Sequence, residues 1–199
     1  MSKSFHEALE SRRSIYAIGK EKVVSHDKIL KLVNRAVKNS PSAFNSQSSR
    51  VVVLLDEYHD KLWDITKAEL KKIVSAESFS GTEEKINSFK NGYGTILYFE
   101  DQDVVKNLQK QFATYKDNFP IWSQQASGIL QYIIWTSLEV EGLGASVQHY
   151  NPLIDNEVRK TYDIPEDWQL IAQMPFGNII SPADKKDFLP LEDRIKVFK

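Results

Sequence analysis

Apolar residues in this chain recur at helical spacing in some stretches and run almost unbroken in others, the mixture expected of helices packed on a buried sheet. Ser4 with Glu7 three residues on has capping-box spacing. The helix it opens carries Phe5, Ala8 and Leu9 on one face and delivers Arg12 and Arg13 near its end. Ser25 starts a second helix, with Ile29, Leu32, Val33 and Ala36 at helical spacing. It stops before Pro41, because the residue ahead of a proline disfavours helical backbone. Residues 50–55 and 95–99 read as buried strands, separated by a charged helix over 61–74 and a Gly/Ser loop at 78–82. Residues 121–140 read as one long helix whose apolar side chains, among them Ala126, Leu130, Ile134 and Leu138, cover much of its circumference. Such a helix belongs in a core. Gly142-Leu143-Gly144 ends it, and residues 145–149 follow as a short strand or extended loop. A small helix at 155–162 and a core strand at 169–176 come next, then a polar tail that turns apolar at Ile195, Val197 and Phe198.

Composition narrows the class. The 199 residues suit one domain, 1–199, able to bury roughly 70% of its unfolded surface, and no repeat or linker divides them. Lys and Arg number 26 against 27 Asp and Glu, and no block of like charges stands out, so no nucleic-acid footprint is expected. Cysteine is absent, which removes disulfides and thiolate chemistry and fits a reducing compartment. His6, His26, His59 and His149 are scattered without the spacing that puts ligands on one helix face, so no metal site is expected. The stretch 1–7 lacks an apolar leader core, and no run approaches the ~20 apolar residues of a membrane span. The expectation is a soluble, cytoplasmic protein that does not engage membranes.

Four segments carry candidate chemistry. Arg12-Arg13-Ser14 offers two guanidinium forks and a hydroxyl, a set that matches phosphate; a solvated helix end, where cations meet the helix dipole, is the plainer reading. From Ser40 to Gln47, hydroxyls and amides crowd into a turn ahead of a strand, where they could hold a planar polar ligand, although Ser, Pro and Asn are also ordinary turn formers. Gln148-His149-Tyr150 follows the long helix with further donors, and Lys185-Lys186 forms a basic pair in the tail. Trp122, Tyr132 and Trp135, at helical spacing in an apolar helix, read as core.

Taken together these segments resemble the FMN-dependent nitroreductase-like family. The runs 46–50 and 94–101 look like its branch named for the fatty acid repression mutant, the yeast-type nitroreductases. The resemblance spans the chain and implies an α+β fold, with a central mixed or antiparallel sheet packed by helices. It implies a homodimer with FMN at the subunit interface, and the apolar end of the tail is compatible with reaching across to a partner. It places Arg12 and Ser14 on the ribityl phosphate and Arg13 at the flavin edge. Pro41, Ser42, Asn45 and Gln47 would meet the ring, with Gln148, His149 and Tyr150 as flavin neighbours. Lys186, with Lys185 or Arg194, would clamp the phosphate, Phe188 standing where relatives carry an arginine. Two further departures are Tyr16, where many relatives have a basic residue, and Ser48-Ser49, where many continue Pro-Trp. The implied activity is ping-pong transfer of two electrons from NAD(P)H, NADH or NADPH, to a nitroaromatic or similar acceptor. Reduction of quinones or hydroperoxides, and a flavin-binding redox sensor, are the alternatives.

Overall fold

The computed structural model describes residues 3–199, so Met1 and Ser2 of the leader reading lie outside it. Helix α1, Phe5–Ser11, opens with the expected capping box: Glu7 N donates to Ser4 Oγ at 3.3 Å, and Ser4 N donates to Glu7 Oε2 at 2.7 Å. Next come strand β1, Ile18–Gly19, and helix α2, His26–Asn39, which is capped by Ser25 accepting from Lys28 N at 3.3 Å. Strands β2, Ser49–Leu55, and β3, Gly94–Asp101, flank helices α3, Asp56–Lys71, and α4, Phe79–Lys90. Helix α5, Gln102–Gln111, leads into the long α6, Phe119–Val140. Strand β4, Leu143–Ala145, helix α7, Asp155–Tyr162, and strand β5, Trp168–Ile179, complete the order.

Every strand ladder is antiparallel, which resolves the expected mixed or antiparallel sheet. β5 is the axis: it pairs with β3 along most of its length and with β1 and β4 at its C-terminal end, while β2 forms the far edge. Residues of β3 alternate between two layers. Ile96 and Tyr98 face Val33 of α2 and Leu130 and Ile134 of α6, whereas Leu97 and Phe99 face Trp63 of α3, Phe89 of α4 and Val158 of α7. A register shift lets Tyr98 pair with Ala172 but Phe99 with Leu170, leaving Ile171 as the extra residue of a bulge. That extra residue reverses the parity of β5, so Leu170 joins one layer and Ala172 the other.

Two expectations need correction, and one helix was unforeseen. The loop read at 78–82 is the first turn of α4: Gly81 borders open space, and Ile86 and Phe89 bury themselves in the core, so packing outweighs weak local propensity. Helix α5 was not anticipated; Asp101 caps it, accepting from Asp103 N and Val104 N at 3.1 Å each. The long helix is partly exposed over its first half, whereas no residue from Leu130 to Val140 is exposed. Ile121 and Ile129 are 56% and 43% exposed, and Trp122, Tyr132 and Trp135 are half-buried: Trp122 packs on Phe44, Arg12 lies over Tyr132 and Trp135, and Trp135 also packs against the core.

Candidate functional site

Where α1 ends, Arg12 leaves helical backbone for an extended conformation with φ −58° and ψ 122°. The next residues are fastened to β4: Ile15 N donates to Ala145 O at 3.0 Å, and Ser14 bridges Ala145 in parallel. A side chain at Gly144 would come within 2.8 Å of Ile15, so the glycine permits this approach. Arg12, Arg13 and Ser14 then border a cavity of about 630 Å³ together with Tyr16, Trp135 and the tail residues Ser181 to Asp184 and Lys186. Residues about 170 positions apart thus meet around one space.

Its electrostatics suit an anion. The Arg12 guanidinium lies over the Trp135 ring, 4.2 Å from the centroid, and 5.9 Å from that of Tyr132. Its Nε is buried with no hydrogen-bond partner. Among the described residues no salt bridge engages Arg12, Arg13 or Lys186, and the one acidic residue lining the cavity is Asp184. Three cations against one carboxylate, with a buried N–H unsatisfied, leave room for a phosphate dianion. Lys186 Nζ sits 5.2 Å from the Phe188 ring, while Lys185 is exposed and does not line the cavity.

The turn is held in an unusual backbone state. Phe44, Asn45 and Gln47 have φ of 56°, 51° and 48°, the left-handed region that a bulky L-residue rarely enters. Gln47 N donates to Ser42 Oγ at 3.0 Å, closing the turn. The Phe44 ring is seated among Phe112, Phe119 and Trp122, with centroids 4.9, 5.3 and 6.1 Å away. Pro41, Ser42 and Gln47 border a second cavity, about 640 Å³, between α2 and β2 and reaching Trp168. Asn45 lines neither cavity; its carbonyl accepts from Gln47 Nε2 at 3.4 Å. Within one chain, therefore, the turn and the Arg12 cavity remain separate.

The segment after α6 is anchored from below. Gln148 exchanges backbone hydrogen bonds with Gln173 at 2.7 and 2.9 Å, and its buried side chain donates to Ser146 Oγ at 3.0 Å. Gln173, fully buried, accepts from Tyr150 N at 2.7 Å. His149 is exposed. The Tyr150 ring meets Trp63 edge-on at 6.0 Å, and burial, reinforced by the neighbouring Tyr16, pushes its phenol up to about 12. Tyr16 also lines the Arg12 cavity, whereas Gln148, His149 and Tyr150 do not. Sequence reasoning missed Trp135 as a platform for Arg12 and Gln173 as an anchor; neither carries a motif, and only the sheet register brings Gln173 to Gln148.

Comparison with known proteins identifies the family. The nitroreductase family model matches residues 9–178, a span that includes Arg12-Arg13-Ser14, the turn and Gln148 to Tyr150. HBN1 of Saccharomyces cerevisiae is 34% identical over 190 residues, covering 94% of this chain and 93% of its own. The nitroreductase FRM2 of the same yeast is 30% identical over 185 residues, covering 92% and 91%. Among solved structures, the nitroreductase CinD of Lactococcus lactis superposes with a TM-score of 0.90 at 48% identity, covering 98% of this chain and all of that one. The chain belongs to the nitroreductase family of oxidoreductases, and the antiparallel sheet between two helical layers is that family's fold.

Proposed function

We propose that the protein is an FMN-dependent oxidoreductase that passes two electrons from NAD(P)H to a nitroaromatic or related small acceptor in a ping-pong cycle. One observation carries the reading: the cationic cavity of Arg12, Arg13, Ser14 and Lys186, with its unsatisfied Arg12 N–H, fits the phosphate of a mononucleotide. Solved structures of CinD are complexes with chloramphenicol, with 4-nitrophenol and with nicotinic acid. The first two are nitroaromatics and the third is a pyridine carboxylic acid, which supports a nitro acceptor and a nicotinamide donor for this chain.

Bound FMN would supply the two-electron relay between donor and acceptor. The chain's own residues bind and orient. Arg12, Ser14 and Lys186 would grip the phosphate, with Arg13 at the flavin edge and Lys185 a secondary tail cation. Hydrogen-bond donors of the turn, with the Asn45 and Gln47 amides, would fix the ring's polar edge and favour negative charge developing there. Because the turn and the cavity are separate in one chain, we assign the working form as a homodimer, each turn completing the partner's site. Exposed apolar residues support this: Ile129 on α6, Leu30 and Val37 on α2, and Phe198 of the tail, which is 93% exposed.

Purified protein tests the reading. A yellow preparation that bleaches with NADH or NADPH and regains colour with 4-nitrophenol supports the reductase. Colour without turnover favours the sensor, and a protein that cannot take up FMN overturns both.

A further inference from the structure

The two runs that mark the branch, 46–50 and 94–101, lie face to face. β2 and β3 pair Ser49 with Glu100 and Arg50 with Phe99. Glu100 is fully buried, and both its oxygens are occupied: Ser48 Oγ donates to Oε2 at 2.6 Å, and Ser49 Oγ donates to Oε1. Among the described residues it has no salt-bridge partner. Burial raises its pKa, opposed by the two serine hydroxyls and by Arg50. A buried carboxylate without an ion pair costs more than an apolar residue in the same space, so its use is better sought in orientation than in stability.

What it orients is the root of the left-handed turn. Asp101 N donates to Ser48 O at 2.9 Å, and Arg50 Nη1 donates to Gln47 O at 2.7 Å. Arg50 Nη2 donates to Asp101 Oδ2 at 2.7 Å, tying the guanidinium to β3. Residues directly after Gln47 are therefore clamped to one site on the neighbouring strand. Non-glycine residues hold positive φ only where surrounding structure over-determines them.

We propose that Glu100 is a positioning residue for the flavin ring: by holding Ser48 and Ser49 it fixes the conformation in which Phe44 to Gln47 present their donors. The assignment rests on the FMN reading above. It separates two parts of the site, because the Arg12 cavity serves the phosphate and the Glu100 clamp serves the ring.

Titrating flavin fluorescence with FMN and with riboflavin, which lacks the phosphate, tests that separation. Glu100→Leu is expected to weaken both ligands by about tenfold, the equivalent of one lost hydrogen bond. The Ser48→Ala/Ser49→Ala pair should do the same with Glu100 in place. Glu100→Gln, which keeps the shape and one acceptor, should recover most of the affinity and the visible circular dichroism of the bound ring. Arg12→Ala should weaken FMN and leave riboflavin unchanged. Wild-type affinity for both flavins in Glu100→Leu and in the serine pair, or a loss confined to FMN, overturns the assignment. If wild-type protein takes up neither flavin, the FMN reading and this assignment fall together; if it binds both and the variants match it, only this assignment falls.

Discussion

At the scale of single residues, Arg12 shows why a guanidinium stands at the end of α1. A flat cation can lie on Trp135 at 4.2 Å and still direct its edge N–H groups to an anion; a lysine ammonium offers only a point charge. Arg12→Ala is expected to weaken FMN binding at least about tenfold, on the order of the 1.5–3 kcal/mol of a charge-assisted hydrogen bond. Arg12→Lys should recover only part of that loss. Equilibrium dialysis of the two variants checks this, and an unchanged FMN affinity in Arg12→Ala would remove the residue from the site. That Arg12 and Ser14 border one cavity was legible in the sequence because they stand together in a short motif. The half-exposed aromatics were not. Helical spacing shows that Trp122 and Trp135 share an apolar helix, but not that Phe44 and Arg12 are the groups that lie against them. Nor could an irregular tail show which lysine enters: Lys186 lines the cavity and Lys185 does not, because no helix or strand period fixes side-chain direction there.

At the scale of elements, the turn holds Phe44 at φ 56° against its intrinsic preference, and packing on Phe112, just after α5, and on Phe119 of α6 offsets that cost. Left-handed backbone costs a non-glycine residue roughly 1–2 kcal/mol. Alanine at position 44 would lose the ring and keep the strain; glycine would lose both. Phe44→Ala should therefore be less stable than Phe44→Gly by about 1 kcal/mol, the reverse of the order in a helix. Urea midpoints decide it, and the usual order would show that residue 44 does not depend on left-handed backbone. Ser25→Ala should lower stability by about 1 kcal/mol through loss of the α2 cap, measured in the same way. Elements with strong signals were readable: the capping box of α1, the stripe of α2 and the unbroken apolar run of β3 all lie where the pattern put them. α4 and α5 were not, since one begins among serines and a glycine and the other buries only Val105. The helicity of α5 draws on its Asp101 cap, and that of α4, which has no side-chain cap, on the burial of Ile86 and Phe89.

At the scale of the whole molecule, the exposed apolar faces of α2, α6 and the tail predict sedimentation at twice the chain mass, and a monomer at micromolar concentration would remove the homodimer. Stability is then to be compared at one protein concentration. Its pH dependence has a named source. His59 is buried, with Nε2 3.1 Å from the Lys90 carbonyl and Nδ1 2.8 Å from Thr95 Oγ1. A carbonyl only accepts, so Nε2 carries the proton and Nδ1 accepts from the threonine hydroxyl, whose oxygen takes the Trp63 N–H at 3.0 Å. The network is complete with a neutral ring, and burial lowers the His59 pKa from 6.5 to about 4. Between these values the unfolded chain binds a proton that the folded chain does not. Unfolding free energy therefore rises with pH across that window, and this contribution is lost as pH falls from about 6.5 toward 4, up to about 3 kcal/mol. Glu100 and Asp155, whose pKa values burial raises, act with the opposite sign at the acid end, so the total slope alone cannot identify His59. His59→Gln isolates it. The amide can donate to the Lys90 carbonyl and accept from Thr95 without titrating, while both carboxyl groups stay in place and cancel in the difference. Urea midpoints from pH 7.5 to 4.5 should fall more steeply for wild type than for His59→Gln, the two curves converging or crossing toward acid. Parallel curves would show that His59 is not the group through which acid loosens the fold.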